Sequence, residues 1–405
     1  MHSATRGLTH RSLMTVDVDR ARADTPGCQH VTHFHHSGAS LMPTPVLSAV
    51  KDHLDLEARI GGYEAAAEAV DKIDATYRAI ACLLNCHTDE VAFVENATVA
   101  WDLAFYAIAR GFGRGDRILT AVAEYASNYI AFLQLAKRSG VEIEVVPNDS
   151  HGQLDIEAMD RMIDERVRLI AITHVPTNGG LVNPAAEVGE IANTHGIPYL
   201  LDACQSVGQM NVDVQQIGCT MLSATGRKFL RGPRGTGFLY VQRAMIEGLE
   251  PPFLDLHAAT WTTPQEFEIR TDARRFENFE DNVAGKIGLG VAVNYAVSLG
   301  LDNIYERIQM LAEELRRGLS TIPGVAVCDL GRERCGIVTF SHNAFAPQEI
   351  ASRLRQKGIN VGTSFRPSTL LDMDQRRITG LVRCAVHYFN TEEEIEQLVH
   401  QVAAL

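Results

Sequence analysis

Two residues of the chain combine side-chain types and positions that suit covalent catalysis. Lys228 lies in a short loop rich in glycine, arginine and threonine, and Asp202 ends the apolar run PYLLD (198–202). A lysine amine can bond covalently to a carbonyl carbon, and a carboxylate can keep the nitrogen of a bound heterocyclic ring protonated. Parallel strands present ligands at their carboxyl ends. Asp202 therefore stands where such a sheet would hold a ligand.

A second segment suits the binding of an anion. The stretch VENATVAWDL (94–103) places Asn96, Ala97 and Thr98 between a strand pattern and a helix pattern. The first N–H groups of a helix have no partner within it, so with the Thr98 hydroxyl they can meet a phosphate. The alternative is that Thr98 only caps the helix.

The order of elements predicts how these residues are positioned. From about residue 60 to 245, apolar runs such as VAFV, RILTA and RLIAI alternate with helical patterns such as NYIAFLQLAKRSG. Strands separated by helices predict a mostly parallel sheet that is covered on both faces. After about residue 283, two helical patterns lead into the strand patterns VAVCDL, CGIVTFS, INVGTS and VRCAVHYF. We therefore predict an α/β fold with a poorly ordered leader (1–29), a large domain (30–282) and a small C-terminal α+β domain (283–405), with which the N-terminal segment is a candidate to pack.

Composition narrows the classes of partner. The 405 residues carry a net charge of −13, which argues against nucleic acid or an anionic membrane as the main partner. No apolar run approaches the roughly 20 residues of a membrane span. The eight cysteines are scattered, which favours buried reduced thiols and a cytoplasmic location.

The segments TGRK (225–228), LLDACQS (200–206) and THVPTNGG (173–180) together resemble the class V aminotransferase family, and the resemblance extends from about residue 30 to the end. It implies a fold type I pyridoxal-phosphate enzyme. The cofactor would be held as a Schiff base on Lys228, with Asp202 on its pyridine nitrogen. The resemblance also implies a homodimer with shared active sites.

The resemblance assigns further cofactor contacts. Gln205 matches the residue that hydrogen-bonds the phenolic oxygen of the cofactor, and Tyr125 matches the ring that stacks on it. Thr225 and Arg227 match phosphate contacts, beside Asn96, Ala97 and Thr98.

Four residues are implied on the substrate side. Arg383 matches the arginine that clamps an α-carboxylate, for which a planar guanidinium is suited. Thr177 and Asn178 fall at or beside another carboxylate contact, and Thr177 also borders the cofactor. His257 lies in PPFLDLHAATW (251–261), where relatives place a loop entering the site, with packing at a dimer interface as the alternative. Glu280 stands where dimeric relatives often carry a phosphate-binding threonine, and its role is left open.

The four histidines of HVTHFHHSG (30–38) have no second ligand cluster, so we predict no metal site.

The fold does not select the reaction. Persulfide-forming desulfurases of the closest subgroup carry a cysteine in a loop shortly before the C-terminal strand, and the stretch 358–372 has none. The remaining sequence motifs resemble those of the isopenicillin-N epimerase-like and hercynylcysteine sulfoxide lyase branches. We therefore predict an enzyme acting on an α-amino acid, by β-elimination at the C–S bond of a cysteine conjugate with Lys228 as base. Transamination and epimerisation are the alternatives, and a non-catalytic regulator with the same fold is a third.

Overall fold

The computed structural model describes residues 16–405. Its strands are, in chain order, β1 (Thr32–Phe34), β2 (Val91–Val94), β3 (Arg117–Ala121), β4 (Glu142–Val146), β5 (Val167–Thr173), β6 (Tyr199–Asp202), β7 (Met221–Thr225), β8 (Gly237–Val241), β9 (Ala259–Thr263), β10 (Glu266–Ile269), β11 (Val325–Val327), β12 (Ile337–His342), β13 (Ile359–Phe365) and β14 (Gly380–Ala385).

The α-helices account for most of the remaining regular structure. They are α1 (Val18–Ala23), α2 (Thr44–Ile60), α3 (Gly62–Glu68), α4 (Val70–Leu84), α5 (Ala97–Ile108), α6 (Ala126–Ser139), α7 (Ile156–Met162), α8 (Ala185–His195), α9 (Val214–Ile217), α10 (Arg243–Ile246), α11 (Val283–Leu299), α12 (Leu301–Ser320), α13 (Pro347–Gln356), α14 (Leu370–Gln375) and α15 (Glu392–Ala403). Short 3-10 helices span Pro26–Gln29, Thr88–Glu90, Ala109–Gly111, Ala273–Phe276 and Arg366–Ser368.

A seven-stranded sheet forms the centre of the larger part, in the order β2-β8-β7-β6-β5-β3-β4. Strands β3 to β7 pair in parallel, whereas β8 is antiparallel to both of its neighbours. In β5, Leu169 and Ala171 pack into one apolar cluster, and Ile170 and Ile172 pack into another. Because successive strand residues point to opposite faces, both faces of the sheet are buried. The predicted, mostly parallel α/β sheet is confirmed.

A second sheet of five strands has the order β1-β13-β14-β12-β11. It joins the N-terminal strand β1, which runs parallel to β13, to four strands from the C-terminal part of the chain. Helix α11 packs against α2 and α4. The division of the chain at residues 282 and 283 stays a proposal.

Local signals in the sequence explain several element ends. Helix α6 ends at Gly140, whose φ of 77° suits a residue without a side chain. Helix α13 begins at Pro347, and Thr391 and Glu394 form the capping box that opens α15. The expected starts of these two C-terminal helices are confirmed.

The N-terminal segment differs from its prediction. Residues 1–15 of the predicted leader lie outside the described residues, but Val18–Ala23 is helical and Arg22 donates to the carbonyl oxygen of Phe389 at 2.9 Å. Residues 16–29 are therefore not a poorly ordered leader, because this segment is hydrogen-bonded to the end of the chain.

None of the eight cysteines forms a disulfide bond. Cys219, Cys335 and Cys384 are buried, Cys82 is exposed, and the other four are half-buried. The prediction of buried thiols is therefore right only in part.

Within residues 16–405 no single helix is long and apolar enough to cross a membrane, and α11 and α12 meet that criterion only as a pair bent by 79°.

Candidate active site

A cavity of about 240 Å³ lies where the carboxyl ends of the large parallel sheet face the small sheet. Asp202 ends β6, and Lys228 follows β7. The small sheet contributes residues of β13 and β14. The cavity is lined by Ser37, Gly38, Tyr125, Thr173, Val175, Thr177, Asp202, Cys204, Gln205, Arg227, Lys228, Thr363, Ser364, Ser368 and Arg383.

Asp202 is held rigidly at this cavity. Its Oδ1 accepts the Cys204 N–H at 2.9 Å, and its Oδ2 accepts from Asn128 Nδ2 at 3.0 Å. The carboxylate is only 5% exposed. One wall of the cavity is therefore negative, as the predicted contact with a protonated ring nitrogen requires.

Lys228 lies on the same cavity and is partly exposed to it. Burial lowers the pKa of its amine, while Cys204 and Asp202 oppose this shift. A lower pKa increases the fraction of neutral amine, which is the nucleophilic and basic form.

The residues predicted to bind phosphate fall into two groups. Arg227 lines the cavity and donates to the Gly38 carbonyl oxygen. Asn96 is the N-cap of α5, and its Oδ1 accepts the Val99 N–H at 3.1 Å. Asn96 Oδ1 is therefore a helix cap. The N–H groups of Ala97 and Thr98 in the first turn remain the donors suited to an anion.

The end of β7 lies close to this helix start. A Cβ placed on Gly237 of β8 would stand 2.8 Å from the Ala224 carbonyl oxygen and 3.0 Å from Asn96 Cα. Glycine here leaves room for the Ala224 carbonyl oxygen of β7 and for the residue that caps α5 to lie against β8. Thr225, the last residue of β7, donates to the Thr236 carbonyl oxygen at 3.3 Å. Thr98 and Thr225 do not line the cavity itself, and their phosphate roles stay predictions.

Tyr125 and Gln205 both line the cavity, as expected of cofactor contacts. Tyr125 is 37% exposed. Gln205 donates from Nε2 to the Ser37 carbonyl oxygen at 3.1 Å, which orients its amide at the cavity wall.

Arg383 reaches the cavity from β14. Its Nη1 donates to the carbonyl oxygen of Thr177 at 2.9 Å and also to the Thr177 hydroxyl. Burial lowers the pKa of this guanidinium to about 10, so it remains charged at neutral pH. The structure thus brings Arg383 and Thr177, two of the residues expected to bind a substrate carboxylate, into contact on the cavity wall.

Asn178 and His257 do not line the cavity. Asn178 Nδ2 donates to Asp372 Oδ2 at 2.5 Å, which ties the loop after β5 to α14. His257 Nε2 lies 3.0 Å from Glu277 Oε2, a carboxylate that also accepts from Tyr77. Substrate contacts by these two residues stay predictions. His257 would make its contact in the site of a neighbouring subunit.

Glu280 is exposed and borders a separate surface hollow with Phe279 and Lys286. Within this chain it does not approach Arg227. A role for Glu280 at the cofactor phosphate would therefore require a second subunit, as for His257.

Of the four histidines in the 30–38 segment, His36 is fully buried, His33 and His35 are half-buried, and His30 is exposed. His36 lies 2.8 Å from Ser40 Oγ and 3.2 Å from Asn390 Oδ1, and its ring packs edge-on against that of His387. Burial holds the pKa of both rings well below the ordinary value. In residues 16–405, no group of three or more histidine, cysteine, aspartate or glutamate side chains is arranged to hold a metal ion.

Several cavity residues gave no signal in the sequence. Ser37, Thr363, Ser364 and Ser368 are small hydroxyl residues from segments that only tertiary structure joins. Cys204 was visible within LLDACQS, but a two-residue spacing from Asp202 does not fix the direction of its thiol.

Residues 32–398 match the model of the aminotransferase class-V family. The chain is 33% identical over 321 residues to a probable cysteine desulfurase of Halalkalibacterium halodurans, and the match covers 77% of this chain and 76% of the relative. The apo structure of a cysteine desulfurase from Thermococcus onnurineus superposes with a TM-score of 0.90 at 26% identity, covering 96% and 98% of the two chains. A C-DES mutant with glycine covalently linked to its pyridoxal-phosphate cofactor gives a TM-score of 0.85 at 22% identity, covering 94% of this chain and 98% of that one, which is a likeness of fold.

The cavity wall fits this cofactor. Ser37 Oγ, Gln205 Oε1, Ser364 Oγ and Arg383 Nε are buried, and none has a hydrogen-bond partner in the described part of the chain. Buried polar groups are nearly always paired, so four orphaned atoms around one cavity indicate a polar ligand. Lys228 and Asp202 supply an amine and a carboxylate at the same wall. The donor set therefore suits pyridoxal phosphate.

Proposed function

This chain belongs to the aminotransferase class-V family of pyridoxal-phosphate enzymes, and we propose that it is a C–S lyase which cleaves a cysteine conjugate by β-elimination. The observation that supports the lyase reaction over sulfur transfer to the enzyme is the character of the thiol at the cavity. Transfer would need a thiolate within reach of the substrate, since the thiolate is the nucleophilic form.

Among the residues that line the cavity, Cys204 is the one cysteine. Burial raises the pKa of its thiol, and the neighbouring Asp202 carboxylate raises it further. The thiol is therefore protonated at neutral pH and a poor acceptor of sulfur. The stretch 358–372, which carries β13, Ser368 and the start of α14, contains no cysteine. Both features favour release of the sulfur product into solution.

When bound, pyridoxal phosphate supplies an electron-withdrawing ring that makes the α-proton of an amino acid acidic. The protein's own groups divide the remaining tasks. Asp202 would keep the ring nitrogen protonated, Tyr125 would stack on the ring, and Arg383 would hold the substrate carboxylate through the donors that Thr177 leaves free.

Lys228 Nζ accepts the Cα proton as general base. The Cβ–S bond then breaks with its electron pair on sulfur, and the proton on Nζ is available to that leaving sulfur. Hydrolysis of the remaining three-carbon unit gives pyruvate and ammonia, so one water is consumed and no external oxidant or reductant is required.

A product assay tests this proposal. Purified protein saturated with pyridoxal phosphate is incubated with cysteine, cystine and a set of S-substituted cysteines, and pyruvate, ammonia, free thiol, alanine and protein-bound persulfide are measured. We expect equal amounts of pyruvate, ammonia and thiol or persulfide in solution. Cys204→Ala should retain this activity, because the thiol accepts no sulfur.

Other products would overturn the lyase assignment. Alanine with a persulfide on the protein would make the chain a desulfurase. Keto acid formed only when a second keto acid is added would indicate transamination. Inversion at Cα with the C–S bond intact would indicate epimerisation.

A further inference from the structure

Glu124 is a buried carboxylate beside the cavity that no role described so far uses. It precedes Tyr125 and is 4% exposed. Its oxygens accept from Thr120 Oγ1 (3.1 Å), Tyr125 N (2.9 Å), Asn128 Nδ2 (2.8 Å), Thr173 N (3.0 Å) and Thr173 Oγ1 (2.5 Å). Five donors aimed at one group favour its charged form.

Asn128 joins Glu124 to Asp202. Its Nδ2 donates to Glu124 Oε1 at 2.8 Å and to Asp202 Oδ2 at 3.0 Å. An amide nitrogen carries two protons, and each is used on one carboxylate. With Cys204 N–H on the other oxygen of Asp202, the plane of the Asp202 carboxylate is fixed from both sides.

The charges around the cavity show what a second carboxylate would contribute. Arg227 and Arg383 are cations on the cavity wall, and each lowers the proton affinity of a ring nitrogen bound in the cavity. Asp202 is the one acidic residue among the described residues that line the cavity, so it alone opposes both positive groups there. The other titratable groups near Glu124 or on the cavity wall are Lys228, Tyr125, Tyr199 and Cys204.

Burial, with a smaller contribution from Asp202, raises the pKa of Glu124 to about 7, while the donors from Thr173 and Asn128 oppose the rise. The two carboxylates therefore act on each other across the Asn128 amide. Above neutral pH the site holds two negative charges on the side of the ring nitrogen.

We propose that Glu124 is a positioning residue: through Asn128 it orients Asp202, and its charge helps to keep the ring nitrogen of bound pyridoxal phosphate protonated. The same carboxylate holds the backbone of Tyr125 and Thr173, so one buried group sets three surfaces that the cofactor meets. The proposal rests on the contact between Asp202 and the ring nitrogen, and it does not depend on which reaction the enzyme catalyses.

The test uses the cofactor-bound protein without substrate. Glu124→Gln keeps the shape and removes the charge. Glu90→Gln is the matched control, because Glu90 is also 4% exposed and accepts backbone N–H groups of His87 and Arg243 away from the cavity. The pH titration of the bound cofactor's absorbance is measured for each protein. We expect Glu124→Gln to shift the apparent pKa of this titration by about one unit, because the absorbing group responds to the charge on the ring nitrogen, and Glu90→Gln to leave it unchanged.

A second measurement separates this effect from a general loss of structure. The affinity for pyridoxal phosphate is compared with that for its 1-deaza analogue, in which C–H replaces the ring nitrogen. Glu124→Gln should reduce the preference for the natural cofactor by about tenfold, because only the natural ring has a proton to stabilise. Asn128→Ala, which keeps the Glu124 charge and breaks the bridge, should shift both readouts in the same direction.

An unchanged titration together with an unchanged preference between the two cofactors would overturn the proposal. So would equal losses for both cofactors in Glu124→Gln and Asn128→Ala, since that pattern indicates a structural role. If Glu124→Gln does not fold, Asn128→Ala decides by the same two readouts. Product analysis is independent of these measurements, so a failed lyase assignment and a failed positioning role are distinguishable.

Discussion

Arg383 on β14 of the small sheet donates to both oxygens of Thr177, which lies in the loop after β5 of the large sheet. The contact joins the two sheets at the cavity, and it occupies one nitrogen of the guanidinium. Arg383 Nε is buried and has no partner in the described part of the chain. Thr177 of the large sheet's loop therefore orients Arg383, and the guanidinium keeps donors free for a ligand bound between the two sheets.

Arg383→Leu should cost about 2–5 kcal/mol of substrate binding, the range for losing one partner of a buried charged hydrogen-bond pair. The absorbance of the bound cofactor should hardly change, since its anchors lie elsewhere. The measurement is the ratio of kcat/KM between amino acids and the corresponding amines without the carboxylate, and this ratio should fall. Arg316→Leu is the control, because Arg316 is a buried arginine paired with Asp329 at 2.8 Å. That substitution should lower the melting temperature without changing the ratio, and the same pattern in Arg383→Leu would remove Arg383 from substrate binding.

Lys228→Ala should abolish the covalent link to the cofactor. Holoprotein reduced with borohydride and digested should give a cofactor-labelled peptide that contains Lys228, and the variant should give none. Lys286→Ala is the matched control, since Lys286 is a buried lysine bound to Asp281. A labelled peptide that persists in Lys228→Ala would place the linkage on another amine.

Asp202→Ala should weaken cofactor binding and reduce turnover by several orders of magnitude, because the ring nitrogen loses the carboxylate that keeps its proton. Cofactor affinity and turnover at saturating cofactor are measured side by side. Asp213→Ala serves for comparison, since Asp213 caps α9 and should affect stability alone. Near-normal turnover of Asp202→Ala would show that another group holds the nitrogen.

Thermal stability should fall as the pH drops below about 6.5. His36, His174 and His387 are buried, and burial lowers the pKa of each imidazole, to about 4 for His174. A group whose folded pKa is depressed binds its proton more readily when unfolded, so the free energy of unfolding decreases below the unfolded pKa by about 1.4 kcal/mol per pH unit for each such group.

Calorimetric melting between pH 8 and pH 5 measures this slope. His174→Phe should reduce this slope by about 1.4 kcal/mol per pH unit, the contribution of one proton. The reason is that the His174 ring is buried and its Nδ1 has no partner among the described residues. His151→Gln, at an exposed position, should leave the slope unchanged. A slope that is the same in all three proteins would contradict the assignment to buried histidines.

Much of the fold follows from local patterns. The strands β2 to β6 and the helices between them were readable because apolar runs of strand length alternate with helical periodicity. The capping box of α15 and the glycine after α6 could be predicted because each depends on neighbours within a few residues. The N-terminal helix could not, because α1 is held by Phe389 and Glu394 at the far end of the chain.

The sequence by itself determined which chemical groups the site contains. Lys228 and Asp202 were recognised by their residue types and positions, Gln205, Arg227 and Arg383 were assigned by the family resemblance, and the structure places all five on one cavity. It could not determine which side chains turn toward that cavity. Asn178 is hydrogen-bonded to Asp372 and His257 to Glu277, so both side chains contact another segment of the chain and not the cavity. The Glu124–Asn128–Asp202 chain likewise exists only where α6 meets the end of β6, because hydrogen bonds depend on distances that folding alone sets.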